Sequence, residues 1–416
     1  MGKQVVHVVG AGLAGLAAAV RLMENGAEVR LYEAAAQAGG RCRSFFDPIL
    51  GMRIDNGNHL VLSGNRSTLA YLSAIGAAER LKGPADATFD FVDMASTERW
   101  RLRLNDGAIP WWIFNRRRRV PHTRAQDYLR AAALLWAPDD RPVGRAMACS
   151  GPLYERLWKP ILQAALNTDP AESSCGLAAS VLRETLVKGG RACRPLIARD
   201  GLSEAFVDPA LRVLEKGGAT IRYGRRLRSI SFATRNVEEL NFGDEVVRVS
   251  ADDSVILAVP PWVATTLVPN LPAPSEFRSI VNAHFKVFPP AQLAPVIGVA
   301  NGTIEWIFSF RDRLAITISA ADRLLDVARE TLAAALWREL AAATGLNGAI
   351  PPWQIIKERR ATFAALPAEN AKRPASLTRW INLVLAGDWV RTGLPATIEG
   401  AIRSGHHAAQ HCRERV

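Results

Sequence analysis

The chain has 416 residues, 49% of them hydrophobic and 22% charged, which excludes wholesale disorder and, at ~150 residues per domain, predicts two or three domains' worth of core. Lys plus Arg number 52 against 40 Asp plus Glu, a net charge of +12; this favours anionic partners without choosing among nucleic acid, an anionic membrane surface and a phosphate-bearing cofactor. The five cysteines, Cys42, Cys149, Cys175, Cys193 and Cys412, are scattered and form no CxxC pair, which argues against a disulfide scaffold or zinc ribbon and suits a reducing cytoplasm.

In chain order, the first forty residues carry the strongest signal. Val5-Val6-His7-Val8-Val9 reads as a strand buried on both faces. It feeds Gly10-Ala11-Gly12-Leu13-Ala14-Gly15, a helix-prone stretch to Glu24, and Gly26 as the stop. A second strand, Glu28-Val29-Arg30-Leu31-Tyr32, ends in Glu33, 18 residues beyond Gly15. The glycine spacing also explains the run from Gln4 to Val20, which superficially resembles a signal peptide. Gly10 permits the tight turn, Gly12 lets backbone approach a pyrophosphate, and Gly15 lets the helix pack closely on the strand. The helix N-terminus, through Leu13 and Ala14, offers N–H groups and partial positive charge to phosphates. Glu33 is placed to accept from a ribose diol. A lone GxGxxG is weak, but strand, turn, helix, strand and acid together identify a dinucleotide site.

Next, Pro110-Trp111-Trp112-Ile113-Phe114 directly precedes four arginines, Arg116 to Arg119. Tryptophan favours the lipid headgroup boundary and clustered arginine favours anionic lipid. A helix is expected over 125–136, with Tyr128, Leu129, Ala132, Leu135 and Trp136 on one face. Region 110–136 is therefore the expected membrane-docking surface; no nucleic-acid module is visible. Further on, 217–222 reads as turn and strand, with Leu227 just beyond, and 254–261 as a buried strand stopped by two prolines. Leu385-Ala386-Gly387-Asp388 reads as a strand end, and Thr397-Ile398-Glu399-Gly400 opens a final helix. Asp388 there suits either a helix cap or a polar ligand.

Just past Glu33 comes Gly39-Gly40-Arg41, and later Asp55-Asn56-Gly57-Asn58-His59. With the first glycine motif these resemble the FAD-binding signature of the monoamine oxidase and phytoene desaturase superfamily. The resemblance implies FAD rather than NAD, and no second GxGxxG marks a nicotinamide domain. It places Gly39, Gly40 and Arg41 against phosphate or the flavin, Leu227 along the adenine, Asp388 on the ribityl or pyrophosphate part, and Thr397, Ile398 and Glu399 at the flavin N1/O2 edge. The implied fold is mixed α/β: a Rossmann-like FAD-binding domain, discontinuous over 1–75, 198–265 and 380–416, with a substrate-binding domain from 76–197 and 266–379 inserted.

Four stretches narrow the resemblance to the bacterial hydroxysqualene dehydroxylases. They are 158–168 (WKPILQAALNT), 198–203 (ARDGLS), 281–285 (VNAHF) and 387–401 (GDWVRTGLPATIEGA). Val390 departs from the threonine expected in the Gly-Asp-Trp motif. The branch implies reductive removal of the hydroxyl of hydroxysqualene to give squalene, with an unidentified flavin reductant and a peripheral position on the inner face of the cytoplasmic membrane. Competing readings are a carotenoid-type desaturase or isomerase and, further off, a non-catalytic prenyl-binding escort. A general acid is required, and His284, Glu305, His59 and Asp55 all remain candidates. No metal-ligand cluster is legible.

Overall fold

A computed structural model describes residues 4–414. Strand β1 (Val5–Val9) runs into helix α1 (Leu13–Glu24) and returns as β2 (Glu28–Tyr32). These strands lie in a five-stranded parallel sheet ordered Thr220–Arg222, β2, β1, Ser254–Leu257, Leu383–Leu385. Its strands thus come from both ends and the middle of the chain. Alanine occupies positions 14, 17, 18 and 19 of α1, all buried, so the helix has a slim surface. The C-terminal helix Ile398–Arg413 exploits this: a Cβ on Gly405 would lie 2.2 Å from the Ala14 carbonyl oxygen. Helix α1 is therefore clamped between the sheet and that last helix.

After β2 comes the hairpin β3 (Ser44–Asp47) and β4 (Met52–Asp55). The second large sheet has seven strands, ordered Trp353–Phe363, Phe277–Phe285, Leu314–Ile318, Trp306–Ser309, Val296–Ala300, Thr88–Asp93, Arg99–Arg103. Only the Val296–Ala300 and Thr88–Asp93 pair is parallel. Alternation sorts its faces. Val281, Ala283, Phe285, Ile316 and Ile318 pack on the helix Arg329–Thr344 through Leu332, Leu336 and Leu340. Phe91, Trp100, Trp306, Phe308 and Phe363 build the other core with Leu157, Leu162 and Leu166.

Region 110–136 departs from expectation. The α-helix covers only Ala125–Leu129 and tightens into a 3₁₀ helix over Arg130–Trp136. With three residues per turn rather than 3.6, the expected single stripe does not form. Tyr128 is buried, its hydroxyl accepting from the Val120 N–H at 3.0 Å, while Leu129 and Trp136 face outward, Trp136 80% exposed. The apolar run before the arginines is likewise a 3₁₀ turn, Trp111–Phe114, burying Trp112 and Ile113 and exposing Trp111 and Phe114. Among the described residues no helix is long and apolar enough to cross a membrane, and no cluster of His, Cys, Asp and Glu could hold a metal ion.

Candidate active site

The glycine turn between β1 and α1 is defined by what it excludes. A Cβ on Gly10, whose φ is +106°, would meet the Ala258 carbonyl oxygen at 2.3 Å, and one on Gly15 would meet the Gly10 oxygen at 1.9 Å. Both glycines are thus required by the protein's own packing. Gly12 differs: a Cβ there has nothing within 4 Å, so the protein's own packing does not require glycine and the space is open to a ligand. Gly12 is the N-cap of α1, where the first helical N–H groups point outward without intrahelical partners. Gly39 donates its N–H to the Ala11 oxygen at 2.8 Å, and a Cβ on Gly40 would lie 3.4 Å from the Gly12 Cα. The two glycine pairs therefore form one backbone-lined cradle, with the shape and donor set a pyrophosphate needs.

Glu33 closes one end of the cradle. Its carboxylate accepts from the N–H of Ala11 and of Ala35, both at 2.8 Å, and its remaining lone pairs stay free for a ribose diol. The Arg222–Leu227 segment runs alongside: the Glu33 N–H donates to the Arg222 oxygen, and the Arg225 N–H to the Glu33 oxygen. Leu227, two residues beyond Arg225, is buried.

Arg41 ties the opposite ends of the chain. One guanidinium nitrogen lies 2.7 Å from the Asp388 carboxylate and another donates to the Ala361 oxygen. Asp388 does not cap a helix; its partner is Arg41, and its loop is held by other residues. Trp389 donates from Nε1 to the Val259 oxygen at 2.9 Å, directly behind the Gly10 turn. Arg373, 1% exposed, donates to the carbonyls of Asp388, Trp389 and Val390. Burial pulls the Arg373 pKa down to about 10. This arginine was not singled out from sequence, where it sits in an ordinary Ala-Lys-Arg-Pro stretch; nothing local marks it. At the last helix Thr397 is the N-cap, accepting from the Gly400 N–H at 3.0 Å, with Ile398 as the first helical residue. The Glu399 side chain turns to helix α2 (Arg66–Ala74), accepting from the Ser67 and Thr68 N–H groups and pairing with Arg403. Its carboxylate thus faces a helix N-terminus.

The four acid candidates fall in unlike environments. His284 is fully buried; since a carbonyl can only accept, its Nε2–H donates to the Asp55 oxygen at 3.1 Å. Burial and the Arg313 charge push its pKa down to about 3, so the ring is neutral at neutral pH. His59 is pushed down to about 4 by burial and by Arg41. The buried Asp55 carboxylate accepts from Ser44 Oγ at 2.5 Å and from the Leu202 N–H at 2.8 Å, with Arg313 at 3.6 Å. Burial raises its pKa against the opposing pull of those donors. Glu305 sits at the entry to the strand Trp306–Ser309, accepting from the Ser319 N–H at 2.8 Å and from the Gln163 amide. Burial raises its pKa to about 7, against the lowering effect of those hydrogen bonds.

A polar network ties the loop after β4 to the seven-stranded sheet. Thr317 donates to Asn282 Oδ1 at 2.8 Å, and the Asn58 amide donates to the Thr317 hydroxyl and the Ile316 carbonyl. The 55–59 segment is thereby seated against the strand bearing Thr317, whose carbonyl accepts from the Glu305 N–H at 3.2 Å.

The family model for flavin-containing amine oxidoreductases matches residues 13–413. A hydroxysqualene dehydroxylase from Sinorhizobium fredii is 53% identical over 97% of this chain and 97% of its own. One from Rhodopseudomonas palustris is 53% identical over 98% of each. A probable zeta-carotene desaturase from Synechococcus elongatus is 24% identical over 97% of this chain and 98% of its own. Among solved structures, putrescine oxidase bound to putrescine superposes with a TM-score of 0.72 at 18% identity, covering 98% of both chains; at that identity the likeness concerns the fold.

The cradle yields a contrast test. Gly12→Ala is expected to leave the apoprotein's melting temperature unchanged yet lose FAD at least tenfold, read as the flavin-to-protein absorbance ratio. Gly15→Ala is expected to destabilise the apoprotein by at least ~1–3 kcal/mol, because its Cβ overlaps a carbonyl oxygen rather than open space. Full flavin content in Gly12→Ala would contradict the placement of the cofactor.

Proposed function

Because the chain belongs to the flavin-containing amine oxidoreductases and, within them, to the hydroxysqualene dehydroxylases, we propose that it reductively removes the hydroxyl of hydroxysqualene, releasing squalene and water. The observation that carries this reading is full-length identity to relatives of that name, combined with a cradle whose open Gly12 face fits FAD. When bound and reduced, FAD supplies the hydride. The substrate hydroxyl is allylic, so protonation lets it leave as water and leaves a delocalised cation on the substrate carbon. One proton and one hydride are consumed for each carbon–oxygen bond broken.

The protein's task is to hold a proton near that hydroxyl at neutral pH and to keep bulk water away. Among the four candidates Glu305 is suited to the first part: a carboxyl at about 7 is substantially protonated where the two histidines are neutral. Gln163 can orient it, since an amide is able to donate to the carboxylate or accept from the acid. Asp55, bound by a hydroxyl, a backbone N–H and an arginine, instead orders the loop that leads to Asn58 and His59.

Docking on a membrane completes the reading, because the substrate is insoluble in water. Trp111 and Phe114 are 63% and 65% exposed, Ile109, Leu129 and Trp136 are exposed too, and Arg116 and Arg117 stand beside the first pair. Aromatic rings and arginines on one surface match a headgroup layer with anionic lipid. Such docking would place the chain at the inner face of the cytoplasmic membrane.

An anaerobic single-turnover experiment tests the reaction. Protein with photoreduced flavin is mixed with hydroxysqualene in vesicles; squalene is expected to form in step with flavin reoxidation. Persistent hydroxysqualene over reduced flavin would instead favour a polyene desaturase. The proton source has a separate test. Glu305→Gln is expected to lower the single-turnover rate about 100-fold or more with flavin content intact. In the unsubstituted protein the rate should fall as pH rises through about 7, as the carboxyl loses the proton it donates, and this dependence should vanish in the variant. A Glu305→Gln protein with full rate and the same pH profile would remove Glu305 from the mechanism.

A further inference from the structure

We infer that the docking face carries a built site for the phosphate headgroup of an anionic phospholipid, lined by Arg101, Arg103, Arg117 and Arg118; the inference rests on the membrane reading above and gives it a specific lipid contact. Strand Arg99–Arg103 is the outer strand of the seven-stranded sheet, and its alternation turns Trp100 and Leu102 inward and Arg99, Arg101 and Arg103 outward. The loop after the Trp111–Phe114 turn folds back over this edge: the Arg103 N–H donates to the Arg118 oxygen at 3.0 Å, and the Arg118 N–H to the Asn115 oxygen at 3.0 Å. The four arginines and Asn115 then line an open surface cavity of ≈ 530 Å³, ample for a headgroup.

Charge and donor accounting both point to a phosphate. Arg101 and Arg103 are each offset by one carboxylate, Asp90 at 2.8 Å and Asp86 at 2.7 Å. Among the described residues neither Arg117 nor Arg118 has an acidic partner. Four guanidinium groups thus face two carboxylates, and the cavity keeps an excess of positive charge. Arg118 is anchored through one terminal nitrogen to the Leu104 oxygen at 3.1 Å, while its buried Nε has no partner. Guanidinium forks match phosphate oxygens two at a time, which an ammonium cannot do.

Position selects lipid over a free phosphate compound. Trp111 and Phe114, with ring centroids 6.1 Å apart, immediately precede Asn115. If these rings enter the headgroup layer, the cavity beside them is at the depth of the lipid phosphates. Arg116 lies between the rings and the cavity residues in sequence but does not line the cavity, which makes it a natural control.

The test is flotation of the holoprotein with phosphatidylcholine vesicles, with and without phosphatidylglycerol, at fixed salt. The unsubstituted protein is expected to prefer the phosphatidylglycerol vesicles. Arg117→Gln with Arg118→Gln should lose about tenfold more of that affinity than Arg116→Gln with Arg130→Gln, which removes the same charge outside the cavity. The single variant Arg117→Gln, which spares the Arg118–Leu104 bond, should retain full flavin content and show the larger part of the loss. Equal losses in the two double variants would overturn the site while leaving docking intact. An unsubstituted protein that floats with neither vesicle would overturn docking and the site together.

Discussion

The arrangement depends on one steric constraint, the approach of backbone to backbone at the turn after the first strand. The Gly10 carbonyl lies where a Gly15 Cβ would be, and the Ala258 carbonyl where a Gly10 Cβ would be. That closeness fixes how α1 leaves the sheet and brings the Ser254–Leu257 strand beside β1. It also sets the position of Ala258 and Val259, and the latter's carbonyl anchors Trp389 of the distant Gly387–Arg391 loop. Arg373 fastens the same loop from the other side with three carbonyl contacts. A contact of a few atoms near the N-terminus is thereby propagated to Asp388, which meets Arg41 across 347 residues of chain.

What was legible in the sequence follows from how local each determinant is. The glycine spacing, the acid after β2 and the Gly39-Gly40 pair encode backbone geometry within forty residues, so pattern alone suffices. The branch segments were legible as resemblance, and the structure adds a physical reason for one of them: Gln163 of the 158–168 stretch meets Glu305. Arg373 and the burial of Glu305 were not legible, because both depend on partners far away in sequence. The stripe expected over 125–136 failed for another reason. Its apolar spacing fits 3.6 residues per turn, but after Leu129 the backbone tightens to three, and a change of period rotates Trp136 away from Tyr128.

Burial, rather than residue type, decides the protonation chemistry. A histidine is the usual first choice for a proton donor at neutral pH, and His284 lies in a segment shared with the branch. Yet a fully enclosed imidazole near Arg313 loses its second proton, and its remaining one is committed to the Asp55 carbonyl. The same desolvation acts oppositely on a carboxyl, raising Glu305 toward neutrality. Burial raises Asp55 as well, against a hydroxyl and a backbone N–H donating to its carboxylate. Low-dielectric surroundings therefore hold both histidines neutral and raise both buried carboxyls.

The net charge of +12 acquires meaning only when the arginines are sorted by partner. Arg41 and Arg313 lie against carboxylates and Arg373 against carbonyls; these hold the cradle and its loops and add little to the outside field. Arg116 and Arg117 are exposed and form no ion pair among the described residues, so their field reaches solvent. They follow two outward-facing aromatic rings that the 3₁₀ turn separates from their buried neighbours, Trp112 and Ile113. Three residues per turn places positions 111 and 114 on the same side, so a short helix that is poor at building a core is well shaped for presenting two rings to one plane. The outward pair at 111 and 114 is the arrangement on which the proposed docking surface rests.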